Sequence, residues 1–207
     1  NTRLSLNDNF SISAPLSMYH FNRVEGHSLD FGFYINELLE KRFNSNLNLS
    51  YGFSDKKFKS VLSSSYFLGD YRTYQISFNA FNKLSVLFPE SDEYNDLTSS
   101  ILALFSKYEY RDYFYSKGIE LKFSGEVFPI LNLGFGFISH RDNSAIVNTD
   151  FSFFAKSKKY KNNQPIYETT INALDINFVF DMRNFIEDGY FRRRISQSRS
   201  YLKFGGN

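Results

Sequence analysis

The chain has 207 residues, with 24 basic and 22 acidic side chains and a formal net charge of +2. That balance argues against a nucleic-acid partner, which calls for a basic domain or stripe. The absence of cysteine removes disulfides, thiolate metal sites and cysteine nucleophiles together.

Aromatic residues make up 19% of the chain, 25 Phe and 15 Tyr with no Trp, yet hydrophobic content is 42% and mean hydropathy −0.38. No stretch approaches the roughly 18 consecutive apolar residues of a membrane helix, so a helical membrane protein is excluded. A barrel that alternates lipid-facing apolar with lumen-facing polar residues averages to such a hydropathy while carrying many aromatics.

In chain order, Leu29, Phe31, Phe33 and Ile35 alternate with Ser28, Asp30, Gly32 and Tyr34, which predicts a strand by its period of two. A charged connection follows at 37–42. Leu47, Leu49, Tyr51 and Phe53 then oppose Asn48, Ser50, Gly52 and Ser54, and a turn at 54–57 leads to a strand over 58–68. After a turn at 69–72, Tyr74, Ile76, Phe78 and Ala80, continuing to Leu84, Val86 and Phe88, oppose Thr73, Gln75, Ser77 and Asn79. A polar loop at 89–95 precedes Asp96, Leu97, Ile101, Leu104 and Phe105, whose spacing predicts a short amphipathic helix over 96–106 with Asp96 as N-cap.

The cluster Tyr108, Tyr110, Tyr113, Phe114 and Tyr115 fits either a membrane interface or a packed loop. Ile119, Leu121 and Phe123 alternate with Glu120, Lys122 and Ser124, and a turn is expected at 124–126. Leu131, Leu133, Phe135 and Phe137 oppose Asn132, Gly134 and Gly136, and Leu174, Ile176, Phe178 and Phe180 oppose Asp175, Asn177 and Asp181. Weaker strands are expected at 145–154 and 198–204, and a charged connection at 156–161. Short turns make the neighbours antiparallel hairpins, and about nine strands fit the length at roughly 20 residues per strand and connection. The chain begins at Asn1 without an initiator Met or a leader, and its end, Phe204-Gly205-Gly206-Asn207, reads as a turn. Residues 1–207 are therefore expected to be part of a single outer-membrane β-barrel domain that continues further.

The fold class expected is all-β, a partial antiparallel transmembrane β-barrel of about 8–10 strands with one short helix in a connection. A soluble β-sandwich binding module shares the same alternation and stays open as an alternative. The barrel is preferred because the polar faces are rich in Ser, Asn and Gly, whereas sandwich exteriors carry many Lys and Glu.

At Phe21-Asn22-Arg23-Val24-Glu25-Gly26, followed by 29–33, the sequence resembles a family of Bacteroidota outer-membrane barrels of unknown function, whose members carry an N-terminal carboxypeptidase-regulatory-like domain. The resemblance continues through 51–57, 97–115, Asn148-Thr149-Asp150 and Asn162-Asn163-Gln164-Pro165. It implies a bacterial outer-membrane location and outer-membrane lipid as partner, and no peptidase activity. Arg23 and Glu25 more distantly resemble the lumen latch of BamA-like assembly barrels, in which an arginine is held by an acidic partner. That resemblance implies pairing of Arg23 with Asp30, Asp175 or Asp181; a turn that happens to hold opposite charges is the alternative.

Two functions follow as expectations. One is a structural or transport barrel whose lumen is lined by Asp30, Glu120, Lys122, Asp175 and Asp181; the other is an assembly or translocation barrel with Arg23 and Glu25 as latch. Arg192, Arg193, Arg194 and Arg199 form a candidate patch for lipopolysaccharide phosphates or another envelope protein. No cofactor or metal is expected, since His20, His27 and His140 are scattered and lack ligand spacing. Ser139, His140, Asp142 and Ser144 lie close in sequence, but a triad is a matter of geometry, and no enzyme is expected.

Overall fold

The computed structural model describes residues 3–89, 95–189, 191–195 and 203–206. Its main body is a single antiparallel sheet of 11 strands. The central strands are β4 (Gly26–Glu37), β5 (Phe43–Gly52), β6 (Lys57–Leu68), β7 (Tyr74–Val86), β8 (Tyr113–Phe128), β9 (Leu131–Ser144) and β10 (Thr169–Asp181), each paired with the next in sequence. The seven alternating segments of the sequence are these seven strands. Short strands β1 (Arg3–Ser5), β2 (Phe10–Ser13) and β3 (Tyr19–Asn22) flank β4, and β13 (Lys203–Gly206) pairs with β10. Among the described residues β1 pairs only with β2, and β13 only with β10, so the sheet is not closed into a barrel there.

Partners across a ladder share a face, and the register makes two faces of contrasting chemistry. One row runs Ile35, Ser45, Ser64, Phe78, Leu121, Phe137, Leu174, and the next runs Phe33, Leu47, Leu62, Ala80, Ile119, Ser139. On the other face one row runs Tyr34, Asn46, Ser63, Asn79, Glu120, Ile138, Ala173, and another Ser65, Ser77, Lys122, Gly136, Asp175. Among the described residues the only other sheet is the small hairpin of β11 (Phe185–Asp188) and β12 (Phe191–Arg194), so no second sheet covers the apolar face as a sandwich requires. Leu121 accordingly keeps 51% of its surface exposed and Leu174 81%, and Phe31, Phe123, Phe135 and Ile176 are exposed as well.

The connections divide unequally between the two ends of the strands. One end carries the short turns 69–73 and 129–130, the four-residue turn α1 (Leu38–Lys41), whose Leu39, Glu40 and Lys41 are all left-handed, and the β11–β12 hairpin that follows β10 and bonds the Pro129 carbonyl through Arg194. The other carries the β3–β4 turn at 23–25, the turn at 53–56 and two long connections, 87–112 and 145–168. The first long connection holds α2 (Asp96–Ser106), whose N-cap is Asn95, with its side chain accepting from the Thr98 N–H at 2.8 Å. The expected cap, Asp96, is instead the first helical residue, where its charge suits the positive end of the helix dipole. The buried core gathers at this end: Phe21, Ala103, Leu104 and Tyr160 form one cluster, and Val24, Tyr113 and Ala145 another.

Three sequence expectations are corrected. The turn expected at 124–126 is strand, since β8 runs on to Phe128 and reverses at 129–130. Residues 145–154 form no strand: Asn148 and Thr149 donate their N–H groups to the Arg23 carbonyl, and Phe153 donates to Leu104. Of the cluster 108–115, the residues from Tyr113 onward belong to β8. The strand expected at 198–204 lies mostly outside the described residues, as does Arg199.

Candidate functional site

The site with the densest chemistry is the β3–β4 turn. The Asn22 side-chain oxygen accepts from the N–H groups of Val24 at 2.9 Å and Glu25 at 2.8 Å, and Gly26 closes the turn at φ +65°. Short polar side chains that bond backbone two or three residues ahead favour such turns, and glycine takes the left-handed position without a Cβ clash. A Cβ at Gly26 would also meet Ser54 Oγ at 2.1 Å.

This geometry drives Arg23 into the protein, where it is 0% exposed. Its Nη2 bonds Asp112 Oδ1 at 2.5 Å and Asn163 Oδ1 at 3.2 Å, its Nη1 donates to the Glu109 carbonyl at 3.0 Å, and its backbone N–H donates to Glu109 Oε2 at 2.8 Å. Burial is the main influence on Glu109 and raises its carboxyl above the ordinary range, against the hydrogen bonds from Tyr113 and Arg23. Asn163 also accepts from the Tyr113 N–H at 2.8 Å and donates to the Ala145 carbonyl at 2.8 Å. One guanidinium thus ties the turn to both long connections. Its expected partners are elsewhere: Asp30 bonds His20, Asp181 bonds Arg183 at 2.6 Å, and Asp175 faces Gly136 across the sheet. The correction has a physical reason, since the turn points Arg23 toward the connections and away from the strand walls.

Glu25 points the other way. Its carboxylate meets Lys59 Nζ at 2.6 Å, His20 Nε2 at 2.7 Å and Asn22 Nδ2 at 2.5 Å, and Lys59 reaches Asp55 at 2.9 Å. Tyr115 donates to Asp55 at 2.8 Å, and the far nitrogen of His20 bonds Asp30. Burial works to raise the Glu25 carboxyl, but the hydrogen bonds and charges of His20 and Lys59 outweigh it and hold it at about 2. Beside this network lies a cavity of about 660 Å³, lined by His20, Glu25, Asp30, Lys59 and Lys83 among others. Every carboxylate in the network is matched by a cation or donor, so the arrangement holds a turn in place and presents no activated nucleophile.

Of the residues expected to line a lumen, Asp30, Glu120, Lys122 and Asp175 share the polar face by register. Asp181 stands at the end of β10, bound to Arg183. The arginine patch is largely consumed internally. Arg192 pairs with Glu126 at 2.6 Å and Glu187 at 3.0 Å, Arg193 lies 3.3 Å from Asp188, and Arg194 donates to the carbonyls of Pro129 and Arg183. The Ser, His and Asp near 140 do not assemble a triad. His140 lies 3.4 Å from Asp142, but Ser139 bonds Asn172 and Ser144 bonds the Ile166 carbonyl. Among the described residues no group of three or more acidic or His side chains is placed to hold a metal.

Sequence reasoning missed Asp112, Glu109 and Asn163 as partners of Arg23, and His20, Lys59 and Asp55 as partners of Glu25. A lysine at 59, on the polar face of a strand otherwise lined by Ser63 and Ser65, was the available signal.

The molecule is an all-β protein built on one antiparallel meander, with a buried arginine locking the long connections at one end. The family model for the C-terminal domain of a family of unknown function (DUF5686) matches residues 1–183, and the chain belongs to that family. Nothing in that match indicates enzymatic activity. No curated protein and no solved structure matches the chain.

Proposed function

We propose that this chain is part of a β-barrel of the bacterial outer membrane, as in Bacteroidota envelopes, and serves there as a structural scaffold or conduit. The observation that carries this reading is the continuous apolar face across β4–β10, with Phe31, Phe78, Leu121, Phe135 and Ile176 among its exposed residues. An uncovered apolar face of that extent marks a membrane or a partner surface. In hydrocarbon a sheet must satisfy its edges, so the barrel reading requires further strands to join β1 and β13. The short turns at 69–73 and 129–130, set against the two long connections 87–112 and 145–168 at the opposite end, fit the same reading, since outer-membrane barrels keep short turns on the periplasmic side and longer loops outside; the β11–β12 hairpin is the exception at the short-turn end. An N-terminal carboxypeptidase-regulatory-like domain belongs to the same picture as a neighbouring module.

The test exploits the absence of Trp. The full chain carrying Leu121→Trp or Ser77→Trp is folded into vesicles whose acyl chains are brominated. Emission from position 121 should be blue-shifted and quenched, and that from position 77, on the polar face, should not. Equal exposure to water at both positions would end the barrel reading.

A second reading, an assembly or translocation barrel of BamA-like type, draws on the burial of Arg23 among Asp112, Glu109 and Asn163. In it the turn is a latch on which the working of the barrel depends.

A further inference from the structure

The connection 145–168 ends in a feature that the scaffold does not need. Phe151, Phe153 and Phe154 are all exposed, Phe154 at 80%, although rings of this size normally bury themselves. They are held in place: the Phe153 N–H donates to the Leu104 carbonyl at the end of α2, and Phe105 lies 5.3 Å from Phe153 and 5.5 Å from Phe154 between ring centroids. Phe151 lies 5.3 Å from Phe153 and 5.1 Å from His27, and His27 accepts the Phe53 N–H on its carbonyl. Across the backbone hydrogen bond between His27 and Phe53, the register carries on through Tyr51 and Leu29 into the apolar face of the sheet. Directly after the rings come Lys156, Lys158, Lys159 and Lys161, all exposed, with Lys161 also 3.9 Å from Asp112, and residues 151–167 contain no Asp or Glu. Lys158 is steadied by the Ser106 carbonyl at 3.3 Å, at the last turn of α2.

We infer that this tip is a lipid-interface collar: Phe105, Phe151, Phe153 and Phe154 sit at headgroup depth, and Lys156, Lys158, Lys159 and Lys161 bind anionic lipid headgroups of the same leaflet. Two arguments favour lipid over a protein partner. The ridge adjoins the face assigned to acyl chains by register, and the charges of residues 151–167 are all basic, the nearest carboxylates, Asp150 and Asp112, being paired with Lys107 and Arg23. Aromatic rings at the interface with basic residues just outside are the arrangement that a headgroup layer selects, since the rings tolerate the boundary and the ammonium groups reach past it. The inference rests on the barrel reading and names one of its lipid partners.

The experiment places the reporter at the tip, with Phe154→Trp in the full chain and Leu121→Trp as the independent measure of the membrane face. Vesicles are phosphatidylcholine with a minor fraction of phosphatidylglycerol, and bromine is carried on one lipid at a time. Quenching at position 154 by brominated phosphatidylglycerol should exceed that by brominated phosphatidylcholine at equal mole fraction by about fivefold or more, the factor for a single lysine near an anionic surface. The excess should vanish when the four lysines are replaced by Gln, and shrink at about 1 M salt, where the screening length falls to roughly 3 Å.

Quenching at 121 with a water-exposed, unquenched 154 overturns the collar and leaves the barrel reading intact; in that case the tip faces solvent or a protein. Quenching at 154 that is equal for both lipids, or unchanged in the Gln variant, overturns the headgroup assignment. Loss of quenching at both positions overturns both.

Discussion

At the scale of single residues, the carboxylate of Glu25 shows how a charge can be buried at a stabilising rather than a ruinous cost. Desolvation opposes ionisation, yet His20, Lys59 and Asn22 surround both oxygens, and the balance favours the charged form. The ordinary value is 4.5 and the folded value about 2, so the unfolded chain binds the proton first. The Glu25 carboxylate's own contribution is therefore complete above about pH 4.5 and is lost as pH falls through about 2, amounting to something on the order of 3 kcal/mol at about 1.4 kcal/mol per pKa unit. Hydrogen exchange of residues 19–28 should therefore accelerate as pH falls across this window, after correction for the intrinsic rate. Glu25→Gln should flatten that acid dependence while lowering protection at neutral pH. A wild-type turn whose protection is indifferent to acid in this window would contradict the assignment.

At the scale of elements, the two long connections carry few backbone ladders of their own and depend on side chains to hold them. Arg23 is the joint, since it binds Asp112 and Glu109 in one connection and Asn163 in the other. Removing one partner of a buried charge cluster leaves the others unpaired, at a cost of about 3–5 kcal/mol. Arg23→Ala should make 87–112 and 145–168 sensitive to protease while β4–β10 stay protected, and Arg23→Lys should rescue part of this, because an ammonium lacks the planar fork. The same variant separates the two functional readings: impaired envelope-protein assembly in cells would favour the latch, and unimpaired assembly the scaffold. This joint was not legible in the sequence beyond the identity of Arg23, because its partners lie 86, 89 and 140 residues away. The central strands were legible, since each writes its two faces into a period of two. The first half of β8 was not, because Tyr113, Phe114 and Tyr115 are consecutive aromatics that hide the period. β1, β2 and β3 were also missed, being three or four residues long and interrupted at Pro15.

At the scale of the whole molecule, fold and function turn on which side of the sheet water occupies. The alternation in the sequence established the two faces but not what covers the apolar one, since a sandwich writes the same pattern. Among the described residues the pairing order supplies no second sheet over that face: the strands of the meander lie side by side in one sheet, and the row Phe78, Leu121, Phe137, Leu174 remains exposed. A charge placed in such a row is costly in hydrocarbon and nearly harmless in water, so stability itself reports the surroundings. Leu121→Arg, near the middle of the apolar face, should destabilise the protein folded in vesicles by about 2–4 kcal/mol, the cost of a basic residue at a bilayer midplane. Ser77→Arg, one residue from Phe78 in sequence but on the opposite face, should cost far less, because its side chain would point into water on the polar face, in the row of Ser65, Lys122 and Gly136. Urea titration of the two variants in vesicles against the parent measures the difference directly. Equal, small losses for both would mean that water reaches both faces, and the apolar rows would then have to be covered by something other than lipid.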